Sequence, residues 1–176
     1  VPLVVAPTLQ DVYTLLRAFL VGVVPAGVQV VQGLNNRSST PAPVPGFVAF
    51  TATLMNPHRT PVEMWDRDDT DPDSIEIEQG LLLRVQLDCY GAASADWAVM
   101  LAALLRTEYA CRALAPVAPL FADNPMQAAL VNSEAQYEER WIVGANLQYN
   151  PVVSTPMQFA DTAEVALINI DERFPP

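Results

Sequence analysis

Residues 81–106, LLLRVQLDCYGAASADWAVMLAALLR, allow few folds. Leu81, Leu83, Val85, Leu87 and Cys89 fall on one side of an extended chain, and Leu82, Arg84, Gln86, Asp88 and Tyr90 on the other, the period of a strand with one dry face. Gly91 breaks that period. Ser94 is the expected cap of a following helix, and Asp96 stands in its first turn, where the helix dipole favours an anion. Trp97, Leu101, Leu104 and Leu105 form its apolar stripe, with Ala98, Ala102 and Ala103 small enough for close packing. Burying the five dry-face side chains of the strand contributes about 7 to 15 kcal/mol, an upper bound before chain entropy. This strand and helix are therefore expected to nucleate the core.

The remaining chain reads as elements that pack around that unit. Thr8 with Asp11 three residues on is a capping-box start for a helix carrying Leu9, Val12, Leu16, Phe19 and Val23, ended by Pro25-Ala-Gly27. Residues 28–34 read as a short strand and 35–45 as a polar, Pro-rich loop. Gly46 to Met55 alternates with Val48, Phe50, Ala52 and Leu54 on one side, and Asn56-Pro57 ends or bends it. The polar run 56–79 is too long for a minimal turn. It is expected to be a hairpin arm with legs Val62 to Trp65 and Ile75 to Glu78 and a tip at 66–73.

Beyond the central helix, 108–124 reads as a short helix or turn followed by a loop, because Pro116 and Pro119 interrupt it. Met126 to Asn132 reads as a short strand. Tyr137 to Tyr149 is a second long strand, with Trp141, Val143, Ala145, Leu147 and Tyr149 on its dry face and Val152 and Val153 extending it past a bulge. Residues 162–170 alternate again before a Pro-Pro tail at 171–176. The expected architecture is a single α+β domain over 1–176, a mainly antiparallel sheet of about five or six strands with two principal helices packed on it and a long hairpin arm.

Charge narrows the function classes. Twenty acidic against nine basic residues give a net charge of -11, which disfavours binding to nucleic-acid phosphates through a basic groove. Arg17 and Pro25 interrupt the most apolar stretch, so no membrane-spanning segment is expected. The first ten residues lack a basic leader, and the expectation is a soluble intracellular product. Cys89 and Cys111 could pair, but reduced, buried thiols are the expected state. The single histidine, His58, sits in a turn with no nucleophile placed beside it. No phosphate-cradling or hydrolase-elbow motif is present. An acidic run at 66–73 fails the spacing of a calcium loop, since Gly80 falls where the bidentate Glu must stand. Glu76 and Glu78 share a strand face about 7 Å apart, but alternate with Ile75 and Ile77 like the wet side of an arm. Neither a catalytic residue, a metal site nor a cofactor is expected.

Taken together, VQLDCYG (85–91), the helix with Trp97, RTEYAC (106–111), PLFADNPMQAALVN (119–132), QYEERW (136–141), LQYNPVV (147–153) and FADTAEVALINIDERFPP (159–176) are similar to the phage neck and tail terminator proteins. That resemblance implies a virion protein without catalytic residues. Six copies would form a ring that caps the head-proximal end of a tail, stops growth of tube and sheath, and meets the head connector or collar. Genomic DNA would pass through the lumen without specific binding, and assembly would occur in the host cytoplasm, away from membranes. In that setting the arm becomes the expected interface, through Met64, Trp65, Arg67, Asp68, Asp69, Glu76 and Glu78, with Phe174 of the tail as a second anchor. The alternatives are a head-completion or connector adaptor at the same neck, an acidic mimic of DNA, and a small enzyme built around Glu76, Glu78 and His58.

Overall fold

The computed structural model describes residues 3–34, 41, 45–66, 74–128, 130–131 and 137–156. The expected loop at 35–45 lies mostly outside these residues. Of the expected arm tip at 66–73 only Asp66 is among them, and the expected strand at 162–170 and tail at 171–176 lie outside them entirely. The elements are β1 (Val4–Ala6), α1 (Leu9–Val23), β2 (Gln29–Gln32), β3 (Phe47–Pro57), β4 (Val62–Asp66), β5 (Ser74–Glu78) and β6 (Leu81–Tyr90). There follow α2 (Ser94–Leu104), α3 (Glu108–Leu114), β7 (Ala118–Ala122), β8 (Met126–Gln127), β9 (Leu130–Val131), β10 (Tyr137–Glu138), β11 (Arg140–Tyr149) and β12 (Val152–Pro156). The fold is α+β.

The main sheet runs β2-β3-β6-β11-β7, with β8 also on β11. Among the described residues, only β2 and β3 pair in parallel. The strand read first from the sequence, β6, lies in the middle between β3 and β11. Leu83, Val85, Leu87 and Cys89 of its dry face are fully buried and meet Val143, Ala145 and Leu147 of β11. Onto this face pack Leu16 and Leu20 of α1, Trp97, Ala98 and Leu101 of α2, and Leu114 of α3. The α1 start is as expected. Thr8 Oγ1 accepts from the Asp11 amide at 3.2 Å, and the Asp11 carboxylate accepts from the Thr8 amide at 2.8 Å. The Thr8 hydroxyl and amide together hold the Asp11 carboxyl below its ordinary range.

Several local expectations are corrected. Ser94 does not cap α2: Ala93 holds the cap position, and the Ser94 hydroxyl is buried with no hydrogen-bond partner among the described residues. Ala103 is exposed. Leu54 is 52% exposed because β3 slips register between Ala52 and Leu54, which turns the later residues over. Residues 118–122 form β7 rather than a loop. Pro119 is tolerated there because β7 is an outer strand of its sheet. The 126–132 segment holds two short strands with different partners, β8 on β11 and β9 on β10. Both thiols are free, but only Cys89 is buried; Cys111 is exposed.

The arm is more than a hairpin. Legs β4 and β5 pair as expected, but β5 also pairs with β12, and β12 with β1, giving a second sheet in the order β4-β5-β12-β1. Three strands of the main sheet feed it: β3 leads into β4, β5 into β6, and β11 into β12. The β11–β6 register, from Arg140↔Tyr90 to Tyr149↔Leu81, continues without a slip into Val152↔Glu78. The Gln79 amide donates to the Pro151 carbonyl at 3.0 Å across the junction. The second sheet is thus the far end of one long bent sheet.

Candidate assembly surfaces

Because side chains alternate along a strand and the register does not slip, the two faces of the second sheet follow directly from those of the first. The dry face of β6 passes Leu81 and continues through Ile77 and Ile75. That of β11 passes Tyr149 and continues through Val153. Across the second sheet this face carries one row of Glu63, Ile77, Val153 and Val5 and another of Trp65, Ile75 and Thr155. It is the core face prolonged beyond the helices. None of its residues is buried, and Trp65 is 58% exposed. The opposite face carries Val62, Glu78, Val152 and Ala6, then Met64, Glu76, Ser154 and Val4.

The interface residues expected from the sequence therefore divide. Trp65 belongs to the apolar face, whereas Met64, Glu76 and Glu78 belong to the other. Arg67, Asp68, Asp69 and Phe174 lie outside the described residues. Glu78 forms an ion pair with Arg59, which leans over Gly80 at the junction between the sheets. A Cβ on Gly80 would stand 2.5 Å from Arg59 Nε and 2.7 Å from His58 Cε1, so the absence of a side chain there lets the two residues fold over the strand. His58 is exposed and its amide donates to the Gly80 carbonyl at 3.1 Å. Among the described residues, no group of three or more His, Cys, Asp or Glu side chains could hold a metal. Among the described residues, no helix is long and apolar enough to cross a membrane.

A second cluster escaped the sequence reading. On the wet face of the main sheet Asp88 is only 5% exposed. Its Oδ1 accepts from Arg140 Nη2 at 2.8 Å and Nε at 3.1 Å, and Gln86 Nε2 donates to both carboxylate oxygens. The Arg140 guanidinium lies 5.6 Å over the Tyr90 ring, which stacks on Phe47 at 4.3 Å. Burial pushes the Tyr90 hydroxyl up, and the Asp88 charge adds to it. A lone Asp inside an alternating strand and an Arg at the start of another gave no cue that register would set them side by side. A third feature is an open groove of about 830 Å³ between α1 and β2, lined by Tyr13, Arg17, Val21 and Val31 among others.

The feature that stands out in this fold is the dry face that runs on past the helices into the second sheet. A family model, phage neck terminator protein, matches residues 10–172, and the chain belongs to that family, whose role at the phage neck is structural. No curated protein matches the chain.

Proposed function

We propose that this chain is the repeating unit of a ring, six copies around an axis, that caps the head-proximal end of a phage tail. The ring ends growth of tube and sheath and forms the joint to the head connector or collar. Its output is geometry, with no bond-making step. The observation that carries this reading is the apolar face of the second sheet: Trp65, Ile75, Ile77, Val153 and Val5 prolong the core face past the last helix. Leaving such a face in water forgoes the stabilisation that burial brings, and a copy or a tail protein laid on it recovers it. The acidic balance of the chain suits a lumen through which DNA slides without sticking, since six copies at -11 each repel phosphates. Assembly of the ring takes place in the host cytoplasm before head and tail join.

Phage carrying Trp65→Asp in this protein should yield particles with unjoined heads and tails of irregular length by negative-stain microscopy, while the purified variant keeps the far-ultraviolet spectrum of the parent. Normal-length, infectious tails from that phage, or absence of the polypeptide from mature particles, would remove the reading.

A further inference from the structure

The second sheet has two outer strands among the described residues, β4 and β1, and they differ in a way that fits them to each other. We propose that β4 of one copy pairs antiparallel with β1 of the next, so that the four-stranded sheets of successive copies join edge to edge into one continuous sheet around the axis. This rests on the ring reading above and names the contact that closes it.

Direction supports the pairing. Neighbours in β4-β5-β12-β1 all run antiparallel, so β4 and β1 run opposite ways. A rotation that sets the next copy beside the first therefore continues the alternation without a break. Chemistry supports it too. Residues 3–10, LVVAPTLQ, contain no ionisable side chain, whereas β4 carries Glu63 and leads into the acidic run 66–73. Setting β1 against β4 brings no like charges together, while two copies of β4 would oppose acid to acid. No bulge interrupts β1 or the described part of β4, and the edge charge of β4, Glu63, disfavours a second acidic edge while leaving the uncharged β1 as a partner.

The rows fix the register. Glu63 lies in one row with Val5, and Met64 in one row with Val4. Carried straight across, Glu63 meets Val5 of the next copy, so one carboxylate stands at the seam of the otherwise apolar face. A three-residue edge is small against the about 1,000 Å² that a lasting interface buries. The main sheet adds to it on the same two sides. The groove beside β2 lies on the β4 side, because β2 flanks β3, which leads into β4. Half-exposed Leu120 and Phe121 of β7 lie on the β1 side, because β7 flanks β11, which leads into β12. Each side thus differs from the other, the condition for a head-to-tail contact that closes into a ring.

The test is a cross-link. In a Val5→Cys, Glu63→Cys, Cys111→Ser chain the two new thiols stand three strands apart, about 14 Å, too far to bridge within one copy. Mild oxidation should give a ladder of covalent oligomers ending at the mass of the closed ring, as read on a denaturing gel beside native mass spectrometry. As a second variant, Val5→Asp should reduce assembly at least tenfold and added Glu63→Lys should restore it. Multimers of the parent chain that neither cross-link nor respond to the charge swap would overturn the edge pairing and leave the ring standing. A parent chain that stays monomeric both in solution and in isolated necks would overturn the ring and the pairing together.

Discussion

The two thiols of this chain sit in opposite environments and should behave accordingly. Burial, with the Asp88 charge behind it, pushes the Cys89 thiol up to about 12, and Cys111 is exposed. A thiol reagent at neutral pH should label one cysteine in the native protein and two after denaturation. Because the Cys89 proton is held more tightly folded than unfolded, stability is complete below about pH 9 and declines from there toward about 12. Tyr90 and Tyr149, raised chiefly by burial, act in the same direction. Urea midpoints from pH 8 to 11 should show the decline, and Cys89→Ala should make it shallower. The Asp88–Arg140 pair sets a different expectation. Asp88→Ala leaves the Arg140 guanidinium, largely buried, without its carboxylate and should cost about 3 kcal/mol in equilibrium denaturation, although it removes only a residue of the wet face.

At the scale of elements, the approach of β3 to α2 depends on Gly46. Its φ is +127°, and a Cβ there would stand 2.5 Å from the Tyr90 carbonyl oxygen and 2.7 Å from the Trp97 ring. Strained backbone and a clash with a packed indole act together, so Gly46→Ala should destabilise the fold by about 1 to 3 kcal/mol, visible as a lower thermal midpoint. The junction at Gly80 is of another kind. There a Cβ meets side chains of His58 and Arg59 rather than backbone or core, and the Arg59–Glu78 pair it would displace is partly exposed and contributes at most about 1 kcal/mol. Gly80→Val should leave the thermal midpoint nearly unchanged but tilt the second sheet, and its effect should appear in the fraction assembled.

For the whole molecule, a net charge of -11 opposes every contact between copies. Screening shortens the reach of that repulsion from about 30 Å at 0.01 M ionic strength to about 8 Å at 0.15 M. Assembly carried by apolar faces and sheet edges should therefore strengthen with salt over this range. Sedimentation of the same sample at the two ionic strengths measures it, and weakening with salt would mean that attraction between opposite charges, rather than apolar burial, holds the copies together.

What the sequence determined by itself is whatever depends on near neighbours in the chain. The period of 81–90 and 137–149 specified two strands and their dry faces, although Tyr137 and Glu138 pair apart from β11 as β10; Thr8 with Asp11 specified the start of α1, and the polar run 56–79 specified two legs that leave the core. Each of these follows from local geometry, the alternation of side chains or a hydroxyl three residues from its partner amide. Only the tertiary structure decided what those pieces meet. The bulge that exposes Leu54, the burial of Asp88 against Arg140, and the place of Pro119 in an outer strand depend on register between distant segments. So does the pairing of β5 with β12, and of β12 with β1, that turned an expected hairpin arm into a four-stranded sheet. Hydrogen bonds between strands are indifferent to distance along the chain, and no local pattern encodes which strand lies alongside. That is why the sequence indicated an arm, and register alone revealed that its apolar face continues the core.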